Sequence, residues 1–383
     1  MELEQLLPAI SGMTWQHLIM IGVGVILIYL AIAKKYEPTL LLPMGFGAIL
    51  VNIPLSSAIT QIDPATGEAL EGVLNIFFDA GIATEIFPLL IFIAIGAMID
   101  FSSLFRNPSL LLFGAAAQFG IFMTMVLAAL LGYDIREAAS IGIIGAADGP
   151  TSIVVASRFA PHMLGPISVA AYSYMALVPI IQPPVIKLLT SRKERLIRMK
   201  TDANRQISKK ALIAFPIVIT IAAGLIAPSS LALVGFLMFG NLIRECGVLN
   251  KLSLSAQNEL SSLVTILLGI TIASTMTADR FIRVDTLIII GLGLFAFVFD
   301  TFGGVIFAKF LNIFRKEGNK INPMIGACGI SAFPMSARVI HQMGQKEDPY
   351  NYLLMPAISA NVGGQIGSVV AGGIILTLVP LLG

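Results

Sequence analysis

Apolar runs of about membrane-crossing length, separated by short polar clusters, make up most of this chain. A helix needs about 20 mainly apolar residues to cross the hydrocarbon core, because every backbone amide must be hydrogen-bonded within the segment. The first run extends from Trp15 to Ala33 and ends at Lys34 and Lys35. It has neither a basic lead-in nor a small-residue cleavage site after it, so it reads as a retained membrane helix and not as a signal peptide. Further runs lie near Leu40–Pro54, Phe87–Ile99, Leu110–Leu131, Ile167–Leu189, Ala211–Ile226, Leu231–Ile243, Leu263–Thr275, Leu287–Phe310 and Leu353–Leu382, which makes ten expected crossings.

Two segments remain, Ala138–Ser157 and Asn322–Val339, both interrupted by glycine, proline and polar side chains. Broken helices survive at membrane depth only inside protein or beside a water-filled cavity, so these two are expected to be re-entrant hairpins. The charge pattern supports that expectation. The loop between Asn52 and Pro88 carries Asp63, Glu68, Glu71, Asp79 and Glu85 without a Lys or Arg, which places it outside. The linker with Arg192, Lys193, Arg195, Arg198, Lys200, Arg205, Lys209 and Lys210 belongs in the cytoplasm, and doubles as a solvated, orientation-setting loop. Both placements hold together only if Ala138–Ser157 makes no net crossing.

An internal similarity runs through the chain. GAADGPTSIVVASR, from Gly145 to Arg158, aligns with GACGISAFPMSAR, from Gly326 to Arg338, with a one-residue gap beside Asp148. Upstream, Gly96–Phe101 has a counterpart near Ser274–Phe281, and Gly45–Pro54 faces Phe236–Cys246. Any one of these short matches is also what small-residue packing in membrane helices produces. Their common order, and the odd number of crossings between equivalent points, argue for a repeat in which the second half is inverted. Inverted repeats with paired broken segments are a transporter pattern, with the binding site where the breaks meet near the midplane. The expected architecture is therefore an all-α polytopic membrane protein, about ten transmembrane helices with two re-entrant hairpins in an inverted repeat of elevator-type transporter character. Its expected parts are an N-terminal membrane helix (1–35) and a first repeat (36–190) with a broken hairpin at 138–158. A basic cytoplasmic linker and connecting helix (191–227) and a second repeat (228–383) with a broken hairpin at 322–340 complete it.

Composition agrees. Of 383 residues 56% are hydrophobic and only 12% charged, and mean hydropathy is +0.89, which rules out a soluble globular domain. The formal net charge of +2 leaves no surplus with which to hold a phosphate backbone. Cys246 and Cys328 form no CxxC spacing, so neither a disulfide framework nor a zinc site is expected. His17, His162 and His341 show no ligand spacing and read as interfacial. No nucleophile elbow, Walker loop or dinucleotide fingerprint is present, which argues against ATP-driven transport by this chain alone.

The chemistry-bearing residues cluster in the broken segments. Asp148 lies between Ala147 and Gly149, ahead of Pro150 and Thr151. An ionised carboxylate at membrane depth is costly unless a cation or donor meets it, which makes Asp148 a candidate ion ligand; it also suits the cap of the following helix. Na+ is a small hard cation that favours oxygen ligands, and an unwound turn beside a carboxylate supplies them. The second hairpin adds Asn322, Ser331, Ser336 and Arg338, and the last helix Asn361 and Gln365. Arg338 either receives a carboxylate in a bidentate fork or snorkels at a helix end, and Arg158 holds the equivalent place in the first repeat. Tyr174 stands in a stretch whose Pro179, Pro183 and Pro184 imply a kink; its hydroxyl is packed or relays a proton. Asp300, opposite Gln118 of the other repeat, is a second deep carboxylate that binds an ion or is tied to a neighbouring helix.

GAADGPTSIVVAS, SYMALVPIIQPPVIKLL, NPMIGACGISAFPMSARV and SANVGGQIGSVVAGG closely resemble the β subunit of the sodium-pumping, biotin-dependent decarboxylases, over nearly the whole chain. The resemblance implies a membrane subunit that removes CO2 from a carboxybiotin arm, moves Na+ outward and consumes a proton. It further implies a translocase of the bacterial or archaeal cytoplasmic membrane, working with a carboxyltransferase (α) subunit, a biotin carrier and a small single-span subunit, and trimeric. Carboxybiotin is then presented by the separate carrier, with no metal cofactor inside this chain. Residue by residue, the resemblance places Na+ ligands at Asp148, Asn322, Gly326, Ser331 and Asn361. It assigns ion binding and proton delivery to Ser331 and Tyr174, and carboxybiotin to Arg338; none of these positions departs from the family motifs. The chain is short for an oxaloacetate member, which leans toward a CoA-ester system. The alternative on residues alone is a Na+- or H+-coupled secondary transporter of a small organic anion, because fold does not fix function. A passive channel has little need for paired, inverted broken helices.

Overall fold

The computed structural model describes residues 8–35, 38–62, 66–199, 207–226, 228–332 and 335–382, with the backbone alone at Pro8, Ala176 and Ile226. Asp63 of the acidic loop, Lys200 and Arg205 of the basic linker, and Phe333 and Pro334 of the second broken segment lie outside the described residues.

The apolar runs fold as helices: α1 (Trp15–Ala33), α2 (Pro38–Val51), α3 (Ile86–Met98), α4 (Leu112–Ala117), α5 (Phe119–Leu130), α6 (Ile135–Gly142) and α7 (Gly149–Phe159). They continue as α8 (Leu164–Leu189), α9 (Lys209–Ile226), α10 (Leu231–Glu245), α11 (Ser261–Ile272), α12 (Val284–Ile313), α13 (Met335–Glu347) and α14 (Leu354–Leu382). A two-residue antiparallel pair, β1 (Gln61–Ile62) with β2 (Ala69–Leu70), sits in the acidic loop.

Among the described residues five helical segments are long and apolar enough to cross a membrane: Trp15–Ala33, Pro108–Leu130, Asn250–Thr275, Val284–Ile313 and Leu354–Leu382. Two bent pairs raise the number to seven, Val73–Ala83 with Ile86–Met98 at 58° and Pro161–Met175 with Leu177–Leu189 at 66°. The second bend follows from Pro179, which cannot donate to the carbonyl four residues back, at Met175. The 14 residues of α2 rise about 21 Å, short of the hydrocarbon thickness.

Large apolar side chains cover the outside of the molecule. On α1 alone Trp15, Leu18, Ile19, Val25, Ile26, Tyr29 and Ile32 are exposed. Such a belt is untenable in water and is the natural surface in lipid, so the fold is that of an all-α multi-pass membrane protein. The polar side chains go the other way: Asp148, Thr151, Gln182, Asp300, Asn322, Ser331, Asn361, Gln365 and Ser368 are all buried. Helix α12 runs through this interior, packed on α8, α4, α5 and both broken segments.

One contact there is limiting. The Cα of Gly326 and that of Gly304 on α12 are so close that a Cβ on Gly326 would fall 2.0 Å from the Gly304 carbonyl oxygen, and one on Gly304 2.1 Å from that of Gly326. Small residues at this crossing let the second broken segment reach the centre of the protein.

Candidate functional site

The first broken segment begins in α6, where the Asp134 side chain accepts from the Arg136 and Glu137 amides and Glu137 reaches back to the Asp134 amide. A 3-10 turn, Ile143–Ala146, leads to Ala147 in the left-handed region (φ 51°) and to Asp148 in an extended conformation. A non-glycine residue at positive φ costs about 1 kcal/mol, and such strain concentrates at functional turns. Gly149 and Pro150 then start α7, where the missing proline N–H is no loss.

Asp148 occupies the capping position of α7, yet its side chain does not cap the backbone. Its Oδ2 instead accepts from Thr151 Oγ1 at 2.7 Å, Ser368 Oγ at 3.2 Å and Gln365 Nε2 at 3.5 Å. The carboxylate thus lies at the positive end of a helix dipole, with three neutral donors and no cationic side chain among its described partners.

The second broken segment comes to the first directly. A 3-10 turn, Pro323–Gly329, runs into extended backbone, and the Ser331 amide donates to the Ala146 carbonyl at 3.1 Å. Asn361 of α14 supports this stretch, its Nδ2 donating to the Ile330 carbonyl at 2.7 Å and the Cys328 carbonyl at 3.3 Å. Ser336 and Gln182 both bond the Ala327 carbonyl. The Ser331 hydroxyl faces Asp148 without a hydrogen bond of proper geometry, and Asn361 Oδ1 is buried without a partner. A cavity of about 210 Å³ opens onto Asp148, Ser331, Gln365 and Tyr172, with Thr39 and Thr265 across from them. A carboxylate, hydroxyls and amide oxygens around so small a space form a donor set for a hard monovalent cation. Among the described residues no three His, Cys, Asp or Glu side chains converge.

The other sequence candidates fall elsewhere. Asn322 Nδ2 donates to the Arg195 and Ile197 carbonyls at 2.8 and 2.9 Å, and its Oδ1 accepts from the Met324 amide at 3.1 Å. Both its amide groups are thus engaged in tying the basic linker to the second break. Gly326 provides clearance against Gly304. The Tyr174 hydroxyl donates to the Ile290 carbonyl on α12, and it is Tyr172, two residues earlier, that lines the cavity. Arg338 and Arg158 are exposed, and Ser336 is held on Gln182. Gln118 bonds its own helix at the Gly114 carbonyl, and Asp300 is buried beside Gly120 and Gly145. Thr151, Ser368 and Tyr172 escaped the sequence reading. Thr151 stands three residues after Asp148 and Ser368 three after Gln365, a same-face helical spacing that pointed to both.

The linker forms a latch. Asn351 repeats the donation of Asn322 to the Arg195 and Ile197 carbonyls, Arg195 pairs with Glu347 at 2.6 Å, and Arg198 with Asp348 at 2.7 Å. The Tyr350 amide and then Arg198 hold the Asp348 carboxyl below the usual carboxylate range. With a lowered folded-state pKa, this contribution is full above the ordinary carboxylate pKa and is lost as pH falls through the lowered value. Because both amides hold the same two carbonyls, Asn351→Ala and Asn322→Ala should each loosen the linker, by about 1–3 kcal/mol. Limited proteolysis at the basic linker, faster in both variants and in the parent at acid pH, is the expected outcome.

Two broken helical segments that meet around a buried carboxylate inside an all-α membrane protein are an arrangement that ion-translocating proteins use. The chain belongs to the family described as the Na+-transporting oxaloacetate decarboxylase beta subunit, whose model matches residues 16–379. It is 49% identical over 382 residues to the methylmalonyl-CoA decarboxylase subunit beta of Propionigenium modestum, covering 96% of each chain. To the glutaconyl-CoA decarboxylase subunit beta of Acidaminococcus fermentans it is 50% identical over 366 residues, 96% of this chain and 94% of that one. To the oxaloacetate decarboxylase beta chain 2 of Salmonella typhi it is 43% identical over 434 residues, 98% and 99% of the two chains.

Proposed function

We propose that this chain is the membrane subunit of a Na+-translocating, biotin-dependent decarboxylase, coupling CO2 release from carboxybiotin to outward Na+ transport. The observation that carries the reading, beside family membership, is the buried Asp148 carboxylate at the meeting of the two breaks, with the Ser331 hydroxyl free to turn toward a cation. Asp148, Ser331 and the unpartnered Asn361 Oδ1 supply the oxygen set for Na+, and Gln365 and Ser368 orient the carboxylate. Asn322 and Gly326 serve the site by position: one anchors the second break to the linker, the other lets it approach α12.

The breaks act as two re-entrant hairpins within about ten crossings, arranged as an inverted repeat that moves in elevator fashion. The repeats span 36–190 and 228–383, with the N-terminal helix (1–35) and the linker with its connecting helix (191–227) outside them. The cytoplasmic side is then the face of the basic linker, and the outer vestibule is the cavity of about 1040 Å³ whose charged lining includes Asp79, Glu137, His162, Arg280, Arg283 and Asp285. The exposed Arg338 meets the carboxylate of carboxybiotin. There the N–CO2 bond breaks, CO2 leaves and one proton joins the biotin nitrogen; the Ser331 and Tyr174 hydroxyls are the exchangeable protons on the way. Coupling requires that Na+ and carboxybiotin bind the two orientations with different affinity. The partners are a carboxyltransferase α subunit, a biotin carrier and a small single-span subunit, the β chains forming a trimer in a bacterial or archaeal cytoplasmic membrane.

The CoA-thioester relatives align over 382 and 366 residues at 49–50% identity, whereas the oxaloacetate relative needs 434 aligned positions at 43%. That difference favours a CoA thioester as substrate of the complex.

The deciding experiment is CO2 release from carboxybiotin by the complex in proteoliposomes, titrated with Na+ against K+, with 22Na+ transport read in parallel. Release that depends on Na+ and fails with K+ supports the reading; Na+-independent release, or none from folded protein, overturns it. Ser368→Ala removes one of the donors to Asp148 and should weaken Na+ by about tenfold, since a hydrogen bond to a charged group is worth about 1.5–3 kcal/mol. An unchanged half-saturating Na+ concentration would show that Ser368 leaves the ion untouched.

A further inference from the structure

Asp300 has no part in the site above, and its surroundings are unusual for a carboxyl group. It stands midway along the 30-residue α12, 1% exposed, with neither Oδ1 nor Oδ2 hydrogen-bonded. Two glycines close over it: a Cβ on Gly120 would fall 2.4 Å from Oδ1, and one on Gly145 2.6 Å from Oδ2. The amides of Gly120 and Ile121, at the start of α5, face the carboxyl outside hydrogen-bond geometry.

No charge compensates it among the described residues. On α12 itself Asp285 lies beside Arg283, and Lys309 is engaged with Glu194 and the Leu189 carbonyl. Helices α4 and α5 and the turn Ile143–Ala146 carry no titratable side chain, and α6 carries Arg136 and Glu137 in its first turn. Helix α8 offers Tyr172, Tyr174 and, in its last turn, Lys187; the Tyr174 hydroxyl meets α12 at Ile290, about 15 Å along the axis from residue 300. The Pro323–Gly329 turn adds Cys328 alone, α14 carries no acid or base, and on α13 Arg338 is exposed while Glu347 pairs with Arg195. A bare carboxylate cannot persist in such a place, where the group neutralises instead. Backbone packed directly on both oxygens leaves no shell of oxygen ligands for Na+, whereas a proton needs none.

We infer that Asp300 is a proton-binding site of the pump, loaded when Asp148 is free of Na+ and unloaded when Na+ binds there. The inference rests on the Na+ reading of Asp148. The turn from Gly145 to Asp148 joins the two carboxyls, abutting Asp300 at one end and carrying Asp148 at the other. Na+ on Asp148 cancels a negative charge near Asp300 and so favours its ionised form. Loss of Na+ favours the acid. Binding Na+ from inside thus frees a proton, which joins the biotin nitrogen as the N–CO2 bond breaks and CO2 leaves; releasing Na+ outside recharges Asp300.

The test uses the whole complex in proteoliposomes, with the parent, Asp300→Asn and Asp148→Asn. Without Na+ the parent should show a protonated-carboxyl C=O band in the infrared that shifts in D2O; Na+ should diminish that band, and Asp148→Asn, which removes the same negative charge, should weaken it as Na+ does. Asp300→Asn, an isostere of the neutral acid, should lose it, bind 22Na+ within a few-fold of the parent, and release CO2 about a hundredfold more slowly, the loss of a proton-transfer group. Parent-like turnover and pH profile in Asp300→Asn would overturn the inference, as would a band in the Na+-free parent that Na+ leaves unchanged, which is read without altering Asp300. Absence of Na+-stimulated CO2 release in the parent would instead overturn the pump reading itself, and with it the coupling, while leaving the infrared band as the separate measure of Asp300.

Discussion

Asp148→Asn is expected to abolish Na+-stimulated CO2 release while the complex still assembles in the membrane. The substitution keeps the size of the side chain and one oxygen, but removes the charge that a desolvated Na+ requires. It also presents an NH2 group where Thr151 and Ser368 now donate or forces the amide to turn away from them. Removing one partner of a buried charge pair costs about 3–5 kcal/mol, so Na+ affinity should fall by more than about 100-fold. A Na+ titration of CO2 release, paired with size-exclusion chromatography of the solubilised complex, checks both halves of the expectation. Unchanged Na+ stimulation in an assembled variant would remove Asp148 from the ion site.

Gly326→Ala should be as damaging by a different route. The added methyl would lie 2.0 Å from the Gly304 carbonyl oxygen, and the obstacle is helix backbone that no rotamer change can move. The second broken segment would have to back away from α12 by more than an ångström, taking with it the Ser331 amide that bonds Ala146. Overpacking of this kind costs about 3 kcal/mol or more, at the upper end of core insertions. The thermal unfolding midpoint of the purified complex should drop sharply, together with Na+-dependent turnover. Parent-like unfolding would mean that the two segments are free to separate. The pair of variants tells chemistry from packing, since Asp148→Asn should leave the unfolding midpoint near that of the parent.

The helices and the breaks were legible because both are local properties. Ala211–Ile226, Leu287–Phe310 and Leu353–Leu382 announce themselves by apolar length, and fold as Lys209–Ile226, Val284–Ile313 and Leu354–Leu382. The interruption at Asp148–Gly149–Pro150 follows from residues that cannot continue a helix, and the bend in α8 from Pro179. Family membership was legible too, carried by contiguous motifs.

The membership of the site was not. Asn322 and Ser331 stand nine residues apart in one motif, yet Asn322 is consumed by the Arg195 and Ile197 carbonyls while Ser331 faces Asp148. Of the two tyrosines in AYSYMAL, Tyr172 lines the cavity and Tyr174 turns to α12. Gln365 and Ser368 reach Asp148 from 217 and 220 residues away. The sequence by itself determined which segments form apolar helices, where the helices break and which family the chain belongs to, because hydrophobic length, proline and glycine act within a few residues. Only the tertiary structure decided which polar groups gather around Asp148, which are spent on holding backbone, and that Asp300 is sealed between Gly120 and Gly145. Those outcomes depend on how closely distant helices approach, and a buried polar atom takes its role from whichever partner that approach brings within about 3 Å.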